Sequence, residues 1–594
     1  MKKRSEIEEK FKWDLTDYFK DDNAWQQEFN QIKPLYKKLQ DYEGRLFDDN
    51  VFLECLKLES QISERVGRLY VYIALIVKED GKNSFYQERE NLLNKYLSEV
   101  APIKSALTSE INDFSDERLL MLAKDERFKN FDILLKDVIK SKAHMLTKPE
   151  EMLLAKVSEC IGGEANVFDM YDAVDIKFND VTDTNGQKHP LNNSNYSKYI
   201  ISNDPILRKT AFKNLNGEYG KLNYTLASNY VNNVITNCTF AKIRKFNSAF
   251  EASLFEEDVN ETVYKTLIEQ VHKNKEIFYK YFKLKQKSLN LKTFHNYDVN
   301  AKLINEQSKE CSYDEAFNIV TDSLSVLGLD YITVLNRAKQ ERWIDVLPNE
   351  NKDTGAFAWG AYGAHPVVLL NFEGTINSTF TLAHELGHMM HSYYSNDAQP
   401  STKADYQIFV AEVASTVNEM ILAKTYLAKA STKQEKLYYL DYLMNMFYST
   451  IYRQTMFAEF EYKVHYAYEN NEPTTTEAIN EIYMSLCKEY FGRDVELEPE
   501  LTYEWSRIPH FYNSFYVYKY ATGLISALAI SNNILSGDKN AVSSYKQFLR
   551  SGSTNSPVEL LKIAGVDLTK DQTFNSAFGF ANQILKEWEE LING

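Results

Sequence analysis

The sequence has few cysteines, and they are far apart. Five thiols in 594 residues are an odd number, and no pair has C-x-x-C spacing. This pattern excludes a disulfide scaffold and argues against a cysteine zinc site. We expect reduced, buried thiols in a cytosolic protein. The cysteines are Cys55, Cys160, Cys238, Cys311 and Cys487.

Long apolar runs are also missing. The longest apolar stretches, residues 70–77 and 366–372, are far shorter than the roughly 20 residues that a membrane helix needs. The N-terminal segment starts with basic residues, but no apolar run follows, so it lacks the pattern of a secretory signal. We therefore expect a soluble, cytoplasmic protein with no membrane partner.

Basic residues are fewer than acidic residues. The chain has 68 Lys and Arg against 84 Asp and Glu, a net charge of −16. A nucleic-acid-binding protein needs a basic surface, and anionic lipid attracts basic segments, so we expect neither partner. The 44% of hydrophobic residues is enough for a core, which excludes wholesale disorder.

Helical periodicity dominates the pattern that remains. With 12 Pro and 21 Gly in the whole chain, few residues interrupt a helix. Apolar residues recur three and four apart, which predicts long helices and a mainly α fold. No repeat of 20–50 residues is visible, which argues against a solenoid. The most strongly periodic segments are residues 51–77, 83–120, 287–328 and 435–490.

Two segments break the helical pattern. Residues 173–191 alternate and contain the turn pair Asn185-Gly186, which predicts a β-hairpin. Residues 353–374 form a glycine-rich loop that leads into a short apolar strand. A helix with Ser378 or Thr379 near its cap is expected to follow. The first of these breaks suggests a domain boundary near residues 190–205.

The chemistry is concentrated in an H-E-x-x-H motif made of His384, Glu385 and His388. Residues four apart on an α-helix are rotated by about 40° and raised by about 6 Å, so both imidazoles can reach one metal ion. Glu385 is about 100° further round, where it can reach a water on the metal and act as a general base. In a chain of this composition, the motif arises by chance about 0.01 times. The apolar residues around it predict a buried helix, in which these side chains need a partner such as zinc.

Two residues are candidates for the third ligand that a catalytic zinc requires. His391 is about 20° off the face of His384 but two turns away, so one straight helix can hardly hold three histidines round one ion. Glu412 lies in a second apolar helical segment, residues 407–419, where an unpaired carboxylate is costly to bury. We favour Glu412, because His, His, Glu is the thermolysin-like ligand set. His391 then orients the ligands or is the alternative ligand. Glu419 is expected to orient the ligands or to hold charge near the site.

A tyrosine-rich segment, residues 505–523, contains His510. Its side chains could supply O–H and N–H donors to an oxyanion. An aromatic packing cluster explains the same residues equally well, and the spacing alone does not decide between the two.

Together these motifs resemble the oligoendopeptidase F branch of the thimet oligopeptidase family. The resemblance is carried by HELGHMMH at 384–391, FVAEVAST at 409–416 and His510 with its tyrosines. The loop and strand at 355–372, the hairpin, and DPILRKTAF at 204–212 also fit. The likeness extends from about residue 110 to 590, whereas the first hundred residues match only in length and helicity.

The resemblance implies a mainly α, two-lobed body with a deep channel and a small β element beside the active-site helix. Residues 1–195 would form an N-terminal helical domain that ends in the hairpin, and residues 196–594 the catalytic domain. The implied activity is that of a zinc endopeptidase on short peptides, because a deep channel excludes folded proteins. We also expect a monomer.

The resemblance also assigns roles. One Zn²⁺ per chain would be held by His384, His388 and Glu412, although the family signature is sometimes described with His391 as a ligand. Glu385 would be the general base. His510 and a tyrosine would stabilise the transition state. For that tyrosine we choose Tyr518 over Tyr512, Tyr516 and Tyr520.

We further expect substrate contacts from a small set of residues and one strand. The strand at 365–372 could pair with an extended peptide, as sheet edges do in peptide recognition, and the glycines before it would leave room for the chain. The expected substrate-binding residues are Gly360, Tyr362, Gly363, His365 and Tyr512.

Two alternative functions remain open. A zinc carboxypeptidase can share the helical body and the H-E-x-x-H motif, but it needs a group for the free terminus of its substrate, and none is visible. A catalytically inactive, helical peptide-binding protein would keep the fold without turnover. Cleavage of a doubly blocked peptide would exclude the carboxypeptidase.

Overall fold

The computed structural model describes residues 2–158, 161–304 and 311–593. Helices dominate and the strands are short, so the expected mainly α fold is confirmed. The α-helices of these ranges are α1 (Asp22–Gln40), α2 (Asp49–Glu79), α3 (Ser84–Asn112), α4 (Asp116–Ala123), α5 (Asp132–Lys142), α6 (Lys148–Val157), α7 (Gly163–Met170), α8 (Asn193–Ile200), α9 (Pro205–Lys221), α10 (Asn223–Ile243), α11 (Ala249–Glu256), α12 (Glu261–Lys273), α13 (Lys275–Ser288), α14 (Tyr313–Ser323), α15 (Leu329–Gln340), α16 (Ile376–Ala398), α17 (Ser401–Ala404), α18 (Ile408–Lys429), α19 (Lys433–Met446), α20 (Arg453–Glu469), α21 (Thr476–Phe491), α22 (Tyr518–Leu535), α23 (Ala541–Leu549), α24 (Pro557–Ile563) and α25 (Asp571–Asn593). The strands are β1 (Val181–Thr182), β2 (Lys188–His189), β3 (Ile344–Asp345), β4 (Phe357–Trp359) and β5 (Val367–Leu369).

The elements collect into two compact units, each built from three stretches of chain. Unit 1 comprises Met1–Ala143, Ser308–Leu422 and Ile530–Val566. Unit 2 comprises His144–Gln307, Ala423–Ala529 and Asp567–Gly594. These units follow packing rather than order along the chain. The expected division between residues 195 and 196 stays a prediction, as does the channel.

The N-terminal helices of unit 1 pack because their apolar residues share one face. On α1, five buried residues are spaced alternately four and three apart, which is the period of an amphipathic helix. Asp21 caps the helix by accepting a hydrogen bond from the N–H of Ala24 at 2.9 Å. The indole of Trp25 donates to the backbone carbonyl of Leu69 on α2 at 3.0 Å. The buried residues of α1 are Trp25, Phe29, Ile32, Tyr36 and Leu39.

Unit 1 also contains a three-stranded sheet in the order β3–β5–β4. β5 pairs in parallel with β3 on one side and antiparallel with β4 on the other. The expectation that the strand at 365–372 pairs with a peptide is therefore wrong, because β5 is central and both its edges are occupied. Within the described residues, the outer edge of β4 pairs with no strand. α16 packs against β4 and β5, which confirms the small β element beside that helix.

The predicted hairpin is present in unit 2 but is shorter than expected. β1 and β2 pair antiparallel around the Asn185-Gly186 turn, where Gly186 has a φ of 78°. The segment before β1 differs from the prediction, because Tyr171–Asp175 continues α7 as a π-helical turn. The hairpin thus covers residues 181–189 rather than 173–191.

The helix predictions are confirmed where no cap interrupts the pattern. α2 contains the whole of residues 51–77. Residues 83–120 divide into α3 and α4, because the Ser115 side chain accepts a hydrogen bond from Arg118 N–H and starts a new helix. Residues 435–490 divide into α19, a π-helical turn, α20 and α21. The prediction for 287–328 is wrong in its first half, since α13 ends at Ser288 and Asn290 adopts a φ of 52°.

The thiols and the longer helices agree with the composition. Cys55, Cys238 and Cys487 are buried and unpaired, Cys311 is half-buried, and Cys160 lies outside the described residues. In the part of the chain that the structure describes, every helix is too short or too polar to span a membrane.

A buried ion pair in unit 2 generates the first prediction. The Arg208 guanidinium donates to Asp298 Oδ1 at 2.6 and 3.0 Å, and both side chains are almost fully buried. Arg208→Met leaves that carboxylate buried without a cation, which should lower the free energy of unfolding by about 3–5 kcal/mol. Urea unfolding followed by circular dichroism measures the loss. The control, Arg337→Met, removes an exposed i,i+4 pair with Glu341 and should cost less than about 1 kcal/mol. Equal stability of the two variants would contradict the prediction.

Candidate metal centre

The motif histidines lie in the middle of α16, which is buried almost all round. Thr375 caps the helix by accepting a hydrogen bond from Ser378 N–H at 3.0 Å, so the cap lies three residues before Ser378. Leu382, Leu386 and Met389 have no exposed surface, as the apolar pattern predicts. The polar side chains of this helix therefore depend on partners inside the protein.

Three ligand atoms converge between α16 and α18. His384 Nε2 and His388 Nε2 are 3.2 Å apart, and Glu412 Oε2 lies 3.4 and 3.5 Å from them. Tetrahedral coordination with metal–ligand distances of about 2.0–2.2 Å spaces the ligand atoms by about 3.3–3.6 Å. The three side chains keep 26%, 16% and 43% of their surface exposed, so the centre is accessible to solvent. The triangle therefore fits one face of a tetrahedral metal site, with the fourth position left open.

A fourth side chain supports the first histidine from behind. Glu419 Oε1 accepts a hydrogen bond from His384 Nδ1, which orients the ring so that Nε2 faces the ligand triangle and can bind a metal once its proton has left. Burial lowers the pKa of His384, but the hydrogen bonds to Glu412 and Glu419 outweigh it and raise the pKa to about 10. Hydrogen bonds from His384 and His388 hold the pKa of Glu412 far below its ordinary value. Glu412 is thus an anion hydrogen-bonded to the imidazole groups. A metal that binds to these ligands would displace protons from them.

Glu385 lies next to the triangle without belonging to it. Its side chain is 6% exposed, and burial raises its pKa. Among the described residues, its buried Oε2 has no hydrogen-bond partner. An orphaned carboxylate oxygen beside an open coordination position is suited to accept a proton from a water bound there.

His391 is apart from the three ligands. Its ring stacks on Tyr406 with 3.7 Å between centroids, and the ring is almost fully buried. Burial lowers the pKa of His391 to about 3, so the imidazole is neutral. In the described part of the chain, the ligand atoms that converge belong to His384, His388 and Glu412. The geometry thus favours Glu412 as the third ligand, and a role for His391 as alternative ligand stays a prediction.

The two helices approach closely at Gly387, and the sequence reasoning missed this contact. A Cβ at Gly387 would lie 2.5 Å from Ser415 Cα and 2.7 Å from the carbonyl oxygen of Ala414. Asn418, three residues after Ser415 on α18, donates its side-chain N–H to the backbone carbonyl of Ala383 on α16 at 3.1 Å. A glycine inside a buried helix and a buried asparagine in the partner helix are the signals that could have indicated it. The close approach brings Glu412 and Glu419 within reach of the histidines.

Four of the five expected substrate-binding residues, all except Tyr512, lie on the connection from β4 to β5. Gly360 must be small, because a Cβ would lie 3.0 Å from Pro366 Cα. The Tyr362 hydroxyl donates to the carbonyl of Gln399 at 3.0 Å. Gly363 has a φ of 82° in the turn. These residues shape the chain directly after the open edge of β4.

His365 has a supporting position in the same connection. The imidazole ring of His365 stacks on Trp343 with 4.5 Å between centroids. The backbone N–H of His365 donates to Asp17 Oδ2 at 2.8 Å. Its carbonyl accepts from the Tyr18 hydroxyl at 2.9 Å. These contacts anchor the loop, and a substrate contact of His365 stays a prediction.

His510 belongs to unit 2 and has a tyrosine partner there. His510 Nε2 lies 3.3 Å from the Tyr520 hydroxyl, and both residues are half-buried. Burial lowers the pKa of His510. Tyr518, our choice from the sequence, has no exposed surface and packs against Tyr264 at 5.0 Å. A hydroxyl that stabilises a substrate must reach it, so we correct the choice to Tyr520.

Tyr512 is held by its surroundings in unit 2. Its hydroxyl accepts from Asn229 Nδ2 at 3.0 Å, and its ring stacks on Phe168 with 5.0 Å between centroids. Burial raises the pKa of Tyr512 to about 12. These contacts favour the packing interpretation for this tyrosine.

Known families match most of the chain. The profile of peptidase family M3 matches residues 199–580, and that of oligopeptidase F matches residues 110–178. Oligopeptidase PepF of Bacillus subtilis is 36% identical over 592 residues, which cover 99% of this chain and 88% of that protein. An oligoendopeptidase F homolog of Lactococcus lactis is 33% identical and covers 100% of this chain and 99% of its own. The likeness therefore includes the first hundred residues.

Solved structures agree with these matches. A crystal structure from Chlamydophila abortus superposes with a TM-score of 0.94 at 34% identity, covering 99% of this chain and 100% of that chain. The structure of oligoendopeptidase-F from Enterococcus faecium gives a TM-score of 0.73 at 28% identity, with coverages of 96% and 99%.

The contact at Gly387 generates the second prediction. Gly387→Ala forces α16 and α18 apart, which moves Glu412 from the histidines and should weaken zinc binding by about 10–100-fold. Competition with a fluorescent zinc chelator measures the affinity. The control is Gly579→Ala on α25, where a Cβ meets nothing within 4 Å. Unchanged zinc affinity in Gly387→Ala would show that the close approach is not needed for the site.

Proposed function

This chain belongs to peptidase family M3, in its oligoendopeptidase F branch, and from that membership we propose a zinc-dependent endopeptidase that cleaves internal bonds of short peptides. Members of the family are metallopeptidases. The observation that carries the proposal is the triangle of His384, His388 and Glu412, whose ligand atoms have the spacing of a tetrahedral metal face.

Zinc is the metal that suits this donor set. Two imidazole nitrogens and one carboxylate oxygen, with one position open, form the ligand set of catalytic zinc in thermolysin-like enzymes. Magnesium and calcium prefer all-oxygen sites, which these residues do not offer. A zinc ion held there supplies Lewis-acid chemistry, polarising the peptide carbonyl and lowering the pKa of water.

Glu385 supplies the proton transfers in the proposed mechanism. Its carboxylate takes a proton from the water that attacks the peptide carbonyl and returns it to the nitrogen of the leaving amine. Burial raises its pKa, which makes the carboxylate a better base near neutral pH. Its orphaned Oε2 is available for this role.

The family likeness gives His510 and a tyrosine a share in stabilising the transition state. The His510–Tyr520 pair is what unit 2 offers for that role, since both are accessible and 3.3 Å apart. An N–H and an O–H donor aimed at the developing oxyanion favour the transition state over the ground state.

The outer edge of β4 is the surface that we propose for the peptide backbone. The backbone N–H groups of Val368 and Leu370 donate to the carbonyls of Trp343 and Asp345 on the β3 side. Because these groups alternate along a strand, the N–H and C=O groups of residues 367 and 369 point toward β4. Their partners are Trp359 and Phe357. Alternation along β4 then turns the N–H and C=O of Ala358 outward, where an extended peptide can pair with them.

We also propose that the protein is a monomer and that it acts in the cytoplasm. A carboxypeptidase and an inactive peptide-binding protein are the alternatives. Hydrolysis of a quenched fluorescent peptide of about ten residues, blocked at both ends, separates the three, because a carboxypeptidase needs a free C-terminus and an inactive protein cleaves nothing.

The role of Glu385 generates the third prediction. Glu385→Gln removes the base but keeps the shape, so kcat should fall by about 10²–10⁴-fold while zinc stays bound at one ion per chain. Elemental analysis and the blocked peptide measure the two quantities. Glu373→Gln, at an exposed carboxylate of the same unit, is the control. Full activity of the Glu385 variant would remove this residue from the mechanism.

The correction to Tyr520 generates the fourth prediction. Tyr520→Phe loses one donor to the oxyanion and should lower kcat by about 10²–10³-fold with little change in KM. Tyr518→Phe is the matched control and should leave kcat near the wild-type value, because that ring is buried. Steady-state kinetics on the blocked peptide compare them. A larger loss in Tyr518→Phe would restore the original choice.

A further inference from the structure

A cavity of about 340 Å³ opens in unit 1 beside the end of β4. One wall is a stripe of α2 whose residues are spaced three and four apart and so share one helix face. The stripe consists of Leu56, Ser60, Ser63, Gly67 and Val71. The opposite wall is the chain that follows β4, residues 360–362. With about 30 Å³ for each water in the liquid, the cavity has room for a long side chain.

The cavity is apolar at its floor and open at its rim. Leu56, Val71 and Phe131 on the floor are each 5% exposed or less. Ser63 and Leu134 on the rim are exposed. A side chain with an aliphatic stem would bury that stem against the floor and keep its polar end near the rim.

The charged residues that line the cavity are both acidic. They are Glu59 and Glu64 of α2, and the lining includes no Lys or Arg. Glu64 Oε1 accepts a hydrogen bond from the Ser401 hydroxyl at 2.5 Å, and in the described part of the chain it has no cationic partner. Glu59 lies 3.5 Å from Lys104, and the Lys104 ammonium also donates to Ser63 Oγ at 3.3 Å, so Glu59 already shares a cation at the rim. Glu64 is therefore the carboxylate that a substrate cation can approach most directly, with Glu59 beside it.

An adjoining cavity shares Glu64 and Ser401 and has basic residues on its outer side. These are Lys57 and Arg127, and Arg127 is held by Asp125 at 2.7 Å. Asp125 offsets the charge of Arg127, and neither Lys57 nor Arg127 lines the first cavity.

The position beside β4 connects the cavity to the proposed peptide path. Gly360, Ala361 and Tyr362 follow the strand directly and form the wall. A peptide paired with the outer edge of β4 extends about 3.4 Å per residue and presents every second side chain to the same face. A side chain of the peptide that lies past the residue paired with Ala358, on the side of residues 360–362, would enter the cavity.

We propose that this cavity is a specificity subsite that receives a lysine or arginine side chain of the peptide substrate. The inference rests on the proposed function, because it takes the outer edge of β4 as the peptide path. The aliphatic stem packs on Leu56, Val71 and Phe131, and the cationic end meets Glu64 and Glu59. The enzyme then prefers peptides with a basic residue at one fixed distance from the cleaved bond.

Peptides that differ by one amino group test the charge. Blocked peptides carry lysine or norleucine at one position at a time, so the two side chains share the same stem. At one position, lysine should raise kcat/KM at least about tenfold over norleucine. Glu64→Gln combined with Glu59→Gln should abolish that ratio, by lowering kcat/KM for the lysine peptide to the value of the norleucine peptide. A ratio that persists in the double variant would overturn the proposal.

Filling the cavity tests its shape. Gly67 lies on α2 with ordinary helical φ, and a Cβ there meets nothing within 4 Å. Gly67→Leu should raise KM for the lysine peptide and not alter zinc content. Gly217→Leu on α9, another half-buried glycine with open space around Cβ, is the matched control. Equal KM values for the two variants would overturn the assignment of this cavity.

A binding measurement separates this inference from the proposed function. Zinc-loaded Glu385→Gln protein is titrated with the labelled peptides and followed by fluorescence anisotropy. Lysine preference in binding without turnover of any peptide by the wild type would reject the peptidase but keep the subsite. Turnover without lysine preference in either assay would reject the subsite alone.

Discussion

The close approach of α16 and α18 is the contact on which the candidate centre depends. Gly387 lets the backbones meet where any side chain would collide with Ser415 and Ala414. Asn418 then bonds across to the carbonyl of Ala383. At that separation, Glu412 reaches the two imidazoles on the other helix. The site is therefore a property of two helices held at a fixed distance, and neither helix carries it alone.

The same contact solves an electrostatic problem. A buried helix with two histidines and a glutamate would be unstable without partners, since unpaired polar groups cost free energy in the interior. Glu412 and Glu419 supply compensating negative charge, and Glu419 also fixes the orientation of His384. Glu385 remains with an orphaned oxygen. Among the described residues, the side chain of α16 that the fold leaves with an unsatisfied oxygen is thus the one that we propose as general base.

The sequence predicted the parts of the molecule that depend on local spacing. The i,i+4 histidines, the glutamate between them and the amphipathic periods of the helices follow from 3.6 residues per turn. Glu412 was predicted because a carboxylate in an apolar helix needs a partner. The order of the strands was missed, since pairing of β5 with β3 and β4 joins residues that are distant in sequence. The sequence could not rank Tyr520 above Tyr518 for a related reason: four tyrosines within nine residues differ only in the direction in which the fold turns each ring, and the role of Tyr520 stays a proposal.

The most direct test of the central claim is anomalous diffraction at the zinc edge from crystals of the zinc-loaded protein. The account predicts one strong peak per chain, about 2.0–2.2 Å from His384 Nε2, His388 Nε2 and a Glu412 carboxylate oxygen. A peak coordinated by His391 instead of Glu412, or no peak in protein that has been offered zinc, would contradict it.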